Sequence, residues 1–197
     1  GGGVTKSAPG PRGAHRAGQV PGTGQAPGTD QAPGTDHVDR ILAQWQRERP
    51  GLDTSPMAVI GRLSRAANAV GARLDRTFAA HDLDRGSFDV LATLLRNGPP
   101  HRLSPAALAA DAMITSAAVA QRLNRLEARG LITRTPNPDD GRGSLVTLTP
   151  AGKAAVEETL PDHLATEQDL LADLTPDERA TLATLLARLL HRAEKSG

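Results

Sequence analysis

The chain has 197 residues, of which 38% are hydrophobic and only 2% aromatic. Its core must therefore consist mainly of Leu, Ala, Val and Ile. This composition favours helices over a β-sandwich. The formal net charge is +1, so any nucleic-acid binding has to come from a local basic patch rather than from bulk charge. The sequence contains no cysteine, which excludes disulfides, zinc–thiolate sites and cysteine-based oxidant sensing.

The N-terminal residues 1–36 predict a disordered tail. Three hexapeptides, QVPGTG, QAPGTD and QAPGTD, repeat a Pro-Gly pair between residues 19 and 36 and contain almost nothing that a core could bury. A tail that binds a partner is the alternative, although no residue supports it. The first six residues lack the apolar region of a signal peptide, and no apolar run approaches the roughly 20 residues that span a membrane. We therefore expect a cytoplasmic protein without a membrane partner.

Three helices are predicted next. A short amphipathic helix begins near His37, contains Trp45 and stops at a Pro-Gly pair. Ser55, which proline follows, is the expected N-cap of a long helix that runs to about residue 81. Asp84 can cap a third helix, which stops at the Gly-Pro-Pro sequence of residues 98–100.

The centre of the sequence has the element order of a winged helix-turn-helix. Ser104 caps a short helix over residues 106–111, and a turn leads to a second helix from Ser116 to Arg129 with Gly130 at its C-terminal cap. Residues 131–135 and 145–148 have β character, and the sequence NPDDG between them is dense in turn-forming residues. We predict that the helix from Ser116 to Arg129 contacts DNA.

Two long helices complete the predicted fold, which is mainly α with a small β-wing. Thr149 opens one that reaches about residue 172, and Thr175 opens the last one with a capping box. Their leucines carry more apolar surface than one small domain can cover. We therefore predict a homodimer whose interface uses residues 37–82 and 150–195, while residues 84–149 form the DNA-binding lobe.

Residues 126–152 resemble the MarR family of bacterial transcription regulators. The resemblance is carried by Leu-Glu-Ala-Arg-Gly-Leu-Ile at 126–132, Asp-Gly-Arg at 140–142 and Val-Thr-Leu-Thr-Pro-Ala-Gly at 146–152. The order and spacing of these motifs agree with the family, and the resemblance extends from about residue 37 to residue 193. Trp45, Asp89, Arg122 and Arg134 also coincide with a signature of the urate-responsive subgroup, the PecS and HucR type. The resemblance implies a ligand-responsive regulator, usually a repressor.

The predicted recognition helix presents short and amide side chains that suit the major groove, because they allow a close approach and can bond to base edges. These residues are Ser116, Ala117, Ala120, Gln121 and Asn124, and Arg125 and Arg129 further along can meet phosphates. Between residues 116 and 142 there are five arginines and three carboxylates, an excess of +2 that a dimer doubles. Two such helices about one DNA turn apart predict a pseudo-palindromic site on double-stranded DNA.

The predicted wing carries Arg142 close to Asp139 and Asp140. An arginine at the tip of a wing can enter a narrow minor groove, where the potential is most negative. In the MarR family the Asp-x-Arg element serves that purpose, so the resemblance assigns Asp140 and Arg142 to DNA binding. An exposed ion pair of little energetic value is the alternative.

Arg122 does not fit the DNA-facing set, because it borders the stripe of Val119, Leu123 and Leu126 that is expected to face inward. A charge at such a position needs a partner, and Asp89 on the third helix is the predicted one. Either the two residues form a plain structural ion pair, or they belong to a ligand site.

The functional alternative uses the same residues to bind a small anionic aromatic ligand such as urate. Arg122 would supply charge and paired donors, and Trp45 would supply an indole N–H and an apolar surface. The anion would repel Asp89, and the recognition helix that contains Arg122 would then leave its position on DNA. Arg134 either relays this shift or binds phosphate.

Competing functions stay open from the sequence. The nearest is a MarR-type regulator that senses a phenolic acid or an antibiotic, and another is a protein-interaction adaptor that has lost DNA binding, against which Arg142 argues. An enzyme is not expected, because the six histidines show neither metal-ligand spacing nor a nucleophile with a base. We thus predict no catalytic residue, metal or cofactor. The histidines are expected to face solvent, with His163 near the dimer interface as the exception to consider.

Overall fold

The computed structural model describes residues 35–195, apart from the side chain of Arg142. The disordered tail predicted for residues 1–36 therefore falls almost wholly outside the described residues. The chain divides into two units, Gly1–Leu52 and Asp53–Gly197.

Helix α1 (His37–Glu48) belongs to the first unit, and Asp36 caps it. The Asp36 carboxylate accepts the backbone N–H groups of Val38 and Asp39 at 2.8 and 3.0 Å, and the Asp39 carboxylate accepts the Asp36 N–H at 3.1 Å. This reciprocal arrangement satisfies donors that the start of a helix otherwise leaves unpaired. Ordered structure thus includes Asp36, the last residue of the predicted tail.

The described part of the second unit, residues 53–195, contains six helices and a small antiparallel sheet with strand order β1-β3-β2. Its elements are α2 (Ser55–Ala79), α3 (Arg85–Arg96), β1 (Arg102–Leu103), α4 (Pro105–Asp111), α5 (Ser116–Ala128), β2 (Ile132–Asn137), β3 (Asp140–Leu148), α6 (Pro150–Leu170) and α7 (Pro176–Glu194). The predicted mainly α fold with a small β-wing is confirmed. The two-residue strand β1 was not predicted, because so short a segment has no periodicity of its own.

Helix starts follow the local capping signals at most positions. Asp84, Ser104 and Thr175 cap α3, α4 and α7 with side-chain oxygens, as predicted. The prediction of Ser55 as the N-cap of α2 is wrong, since the helix begins at Ser55 itself. The Asp53 carboxylate accepts the Ser55 backbone N–H at 2.9 Å and so satisfies a donor of the first turn from outside the helix.

The core of the second unit forms around α3. Leu91 and Leu94 are fully buried there, and burial of each such side chain stabilises the fold by about 1.5–3 kcal/mol. Side chains from the surrounding elements complete the cluster: Phe78, Leu108, Val119, Leu123, Leu126, Ile132, Val146, Leu148 and Val156. Three of these come from α5, so the core fixes the inward face of that helix.

The wing is the β2–β3 hairpin, which runs in register from the pair Ile132 and Leu148 to the pair Asn137 and Asp140, with an irregularity at its tip. The Asn137 side-chain oxygen accepts the Asp139 backbone N–H at 3.1 Å and closes the turn. Both strands extend further toward the tip than the sequence pattern predicts.

The end of α5, the wing and the start of α6 meet at Gly152. A Cβ at this buried glycine would overlap the Leu131 carbonyl oxygen, so the backbones approach too closely for a larger residue. The Thr149 hydroxyl donates to the Gly130 carbonyl at 2.7 Å and accepts the Gly152 N–H at 3.0 Å. Gly130, with φ of +71°, ends the recognition helix as predicted.

Apolar side chains are exposed on α2 and α7. No residue of α7 is buried, and its exposed leucines are Leu182, Leu185, Leu186 and Leu190. The exposed apolar residues of α2 are Met57, Val59, Ile60, Leu63 and Val70. None of the helices between residues 35 and 195 is long and apolar enough to cross a membrane.

Two histidines are less accessible than predicted. The His163 ring stacks on Phe78 with centroids 5.2 Å apart and lies 5.3 Å from Phe88, which joins α2, α3 and α6. The Nδ1 atom of His101 is also buried. The solvent-facing prediction therefore fails for the Nδ1 atom of His101. His163, which the sequence had set apart, is covered by aromatic side chains of two other helices.

Candidate nucleic-acid interface and effector site

Helix α5 has a buried face and an exposed face. Val119, Leu123 and Leu126 are 2%, 4% and 0% exposed, so the predicted inward stripe is confirmed. The predicted DNA-contacting side chains are exposed, namely Ser116, Ala117, Ala120, Gln121, Asn124 and Arg125. They share one helix and an accessible surface, which satisfies the geometric requirement for entry into a major groove. Their contact with bases or phosphates stays a prediction.

Arg122 lies at the edge of the buried face, with its side chain 26% exposed. Its Nε donates to Asp84 Oδ1 at 3.2 Å, and the guanidinium covers Gly86, where a Cβ would lie 2.8 Å from that Nε. The prediction that Asp89 is its partner is wrong. The N-terminus of α3 lies beside Arg122, whereas Asp89 is more than one turn further along that helix.

Asp84 joins the start of α3 to the recognition helix. Its carboxylate accepts the Ser87 backbone N–H at 2.9 Å and the Ser87 hydroxyl at 3.0 Å, in addition to Arg122. Arg125 donates to its second oxygen at 3.0 Å. Burial raises the pKa of Asp84, but the bonds from Ser87 and the charge of Arg122 outweigh it and hold that pKa below its ordinary value.

The role of Asp84 toward α5 was missed by the sequence reasoning, which assigned the residue to capping alone. One signal was present: Arg122 and Arg125 are three residues apart and therefore lie on neighbouring positions of the helix surface. Two arginines in that arrangement are close enough to share one carboxylate, although the sequence does not say which one.

Asp89 holds the turn between α4 and α5 instead. The residue is buried, and its Oδ2 accepts the Met113 backbone N–H at 2.7 Å. Its other oxygen lies 3.9 Å from Arg96 Nη1. Asp89 thus stabilises the turn of the helix-turn-helix from α3, and the half-exposed Arg96 is its charged neighbour.

Arg134, on β2, is bonded to α5. Its Nε and Nη2 donate to Glu127 Oε2 at 2.9 and 2.5 Å, and Nη2 also donates to Asn124 Oδ1 at 2.9 Å. The bonds from Arg134 lower the pKa of Glu127 and outweigh the opposing effect of burial. Glu127, which the sequence reasoning did not single out, therefore fixes Arg134 against the recognition helix.

Trp45 lies on α1 in the first unit and is 40% exposed. With residues 48–52 it lines an open groove at the end of that helix. An indole at such a position is accessible to a planar molecule, and its role in ligand binding stays a prediction.

The wing places Asp140 at the first residue of β3, where its carboxylate lies against Gly143. Arg142 follows two residues later in the same strand. The assignment of both residues to DNA binding stays a prediction that the resemblance supports.

A family model described as MarR family matches residues 81–143, which include α3, α4, α5 and most of the hairpin. The HTH-type transcriptional regulator PecS of Dickeya dadantii (strain 3937) is 38% identical over 152 residues, which cover 77% of this chain and 92% of PecS. The chain belongs to the MarR family.

Two solved structures support this membership. Bordetella bronchiseptica BpsR, whose DNA binding is regulated by 6-hydroxynicotinic acid, is 33% identical with a TM-score of 0.61, covering 66% of this chain and 91% of its own. Streptomyces coelicolor Sco3205, a MarR family regulator in complex with DNA, is 26% identical with a TM-score of 0.65, covering 72% and 94%. The MarR-family chain is thus a winged helix-turn-helix DNA-binding transcriptional regulator, which confirms the predicted fold and general function.

Proposed function

We propose that this MarR-family protein is a homodimeric repressor that a small planar anion, with urate as the first candidate, releases from a pseudo-palindromic operator. The observation that carries the proposal is the position of Arg122. Its guanidinium is partly buried on the recognition helix and is held by an acidic residue of α3, while the amides of the same helix face outward. A ligand that binds Arg122 therefore acts directly on the DNA-contacting element.

The exposed apolar faces of α2 and α7 support the dimer. Both helices expose several large apolar side chains. Leu63 of α2 lines an open apolar pocket with five residues of α7, namely Leu186, Ala187, Leu189, Leu190 and Ala193. A second copy of the chain would remove such surfaces from water, which is favourable. In this proposal residues 37–82 and 150–195 supply the interface, and residues 84–149 form the DNA-binding lobe.

The effector acts by competition for Arg122. Asp84 now accepts bonds from both Arg122 and Arg125, so an anion that takes Arg122 removes one of two charged connections between α3 and α5. The ligand then makes different contacts with the DNA-bound conformation and with the released conformation of the protein, which a switch requires. This route replaces the predicted repulsion of Asp89. Arg134, bonded to Glu127, fits a relay of the shift better than a direct ligand contact.

The chemistry of a relative favours an anionic nitrogen heterocycle. BpsR responds to 6-hydroxynicotinic acid, a planar ring with an anionic group, and urate shares both properties. A guanidinium binds such anions through charge-assisted, paired hydrogen bonds. The role of Trp45 as a ligand-contacting residue is part of the proposal.

The test is release of a labelled operator, obtained by in vitro selection, as urate is titrated to millimolar concentration. We expect urate to release the parent protein. Arg122→Ala lacks the same connection to Asp84, so it should bind the operator more weakly without urate, and urate should not weaken its binding further. Arg125→Ala is the matched comparison, because Arg125 also bonds to Asp84 but lies nearer the exposed face. It should bind the operator more weakly through loss of its predicted phosphate contact, and urate should still release it.

Equal release of Arg122→Ala and the parent would show that the anchor is wrong. Salicylate and 6-hydroxynicotinate are titrated in parallel with urate. If salicylate releases the parent protein and urate does not, the effector is a phenolic acid instead.

A further inference from the structure

Among the residues that the structure describes, two buried helical glycines lie under arginine guanidinium groups. Gly86 is in the first turn of α3, covered by Arg122, and Gly71 is inside α2, covered by Arg85. Glycine is less favourable inside a helix than every residue except proline, and a buried glycine there is typical of a close approach by another group. At both positions that group is the guanidinium.

A methyl group at Gly86 would lie on the hydrogen bond that joins α3 to the recognition helix. Its Cβ would be 2.8 Å from Arg122 Nε and 3.2 Å from Asp84 Oδ1, which are the two atoms of that bond. Both distances are below the 3.4–4 Å of an ordinary van der Waals contact. The methyl group and the bond therefore cannot occupy this space together.

Arg122 is the partner that has to move. Asp84 is held by the cap of α3, in which Oδ1 accepts the Ser87 backbone N–H at 2.9 Å and Oδ2 accepts the Ser87 hydroxyl at 3.0 Å. The second bond of Arg122 is a long one, at 3.3 Å to the exposed Gln121 Oε1. Its side chain reaches partly into solvent, so a change of rotamer moves the guanidinium away without a shift of the backbone.

We propose that Gly86 is the positioning residue for Arg122, because the lack of a side chain at this position allows the guanidinium to lie across the start of α3. A larger residue there directs Arg122 away from Asp84 and leaves the Arg125 bond in place. Gly86 thus decides whether the guanidinium is where an anion can compete for it. That consequence rests on the proposed function, in which the effector takes Arg122 from Asp84, whereas the position of Arg122 does not.

The first measurement is the pKa of Asp84, obtained by NMR titration of the full-length parent and Gly86→Ala, and it needs neither operator nor ligand. Burial raises this pKa, while the bonds from Ser87 and the bond and charge of Arg122 lower it. Displacement of the guanidinium in Gly86→Ala should therefore raise the pKa of Asp84 toward its ordinary value. An unchanged pKa of Asp84 in this variant would overturn the inference.

Gly71→Ala is the matched control. It also adds a methyl group against a guanidinium, with the Cβ 2.9 Å from Arg85 Nη2, but that arginine pairs with Asp75 of α2. Both substitutions replace a buried helical glycine, so they share the gain in helix propensity. Gly71→Ala should leave the pKa of Asp84 unchanged, and far-UV circular dichroism checks that each variant is folded.

Operator binding tests the consequence for function. Gly86→Ala should bind the selected operator up to about fivefold more weakly, the value of one partly exposed ion pair, and urate should not weaken that binding further. In the Arg122→Ala background the methyl group has no guanidinium to displace, so adding Gly86→Ala should change neither the affinity nor the response to urate.

Two results of these binding measurements separate the inference from the proposed function. If Gly86→Ala weakens operator binding equally in the parent and in the Arg122→Ala background, the methyl group acts without Arg122 and the inference is overturned. If urate does not release the parent while the pKa of Asp84 rises in Gly86→Ala, the proposed effector is wrong and the positioning role of Gly86 is supported.

Discussion

The carboxylate of Asp84 both caps α3 and holds the recognition helix α5 in position. It satisfies the first turn of α3 through Ser87 and pairs with Arg122 and Arg125 of α5. Its side chain is 36% exposed, so solvent screens the arginine pairs and each contributes less than a buried pair would. The residue is therefore important for geometry more than for stability.

The stability contributed by Asp84 should be lost in acid. Because its pKa is lower in the folded chain than the ordinary value of 3.8, this contribution is fully present above that value. It is lost as the pH falls further, through the folded pKa. Asp84→Asn keeps a capping side chain without the charge, so we expect a loss of about 1 kcal/mol at pH 7 and a shallower acid dependence.

Urea unfolding between pH 7 and pH 3, at one fixed protein concentration, measures this effect. Asp84→Ala, which also lacks the cap, should lose about 1 kcal/mol more. Parallel curves for the parent and Asp84→Asn over the whole pH range would contradict the assignment.

At the scale of elements, α5 is held at both ends by neighbours that are distant in sequence. Asp84 of the α3 start contacts its arginines, Asp89 supports the turn before it, and Arg134 of β2 contacts its last two turns. The start of α6 packs against the segment that follows α5, where Gly152 meets Leu131. The position of the outward face of α5, which is predicted to contact DNA, therefore depends on all of these elements.

Gly152→Ala should destabilise the protein by about 1–3 kcal/mol, because the methyl group would overlap the Leu131 carbonyl and force the elements apart. The higher helix propensity of alanine offsets up to about 1 kcal/mol of that loss. Gly141→Ala is the control, since a Cβ there meets no atom within 4 Å. Thermal unfolding compares the two variants, and equal stability of Gly152→Ala and the parent would refute the close-packing argument.

At the scale of the whole molecule, α2 and α7 expose apolar surface that a second copy of the chain would cover in the proposed dimer. Val59, Ile60, Leu185 and Leu190 are each at least half exposed in the single chain. Large contiguous apolar surface on a water-facing helix is typical of an interaction site. A dimer also places two recognition helices on one DNA duplex, which a pseudo-palindromic site requires.

Leu186→Glu should convert the proposed dimer to monomers and weaken operator binding, because the carboxylate would be buried without a partner in the interface. Thr184→Glu introduces the same charge at an exposed position on the opposite side of α7 and should leave the dimer intact. Light scattering coupled to size-exclusion chromatography measures the mass. A parent that elutes as a monomer, or a Leu186→Glu variant that stays dimeric, would show that this face is not the interface.

Much of the fold followed from local signals in the sequence. Side-chain caps at Asp84, Ser104 and Thr175 placed three helix starts, and the spacing of Val119, Leu123 and Leu126 identified the inward face of α5. These signals work because capping and helix periodicity act within three or four residues of the chain. The failure at Ser55 came from a competing neighbour, Asp53, which bonds to the same helix start.

The sequence by itself determined the winged helix-turn-helix, and it set Arg122 apart from the outward residues of the helix from Ser116, which is predicted to contact DNA. Only the tertiary structure decided that Arg122 pairs with Asp84, that Asp89 supports a turn, and that Arg134 donates a hydrogen bond to Asn124. The physical reason is the range of the interactions. Backbone bonds and periodicity are local, whereas the partner of a long charged side chain depends on which ends of distant elements the packed core brings together.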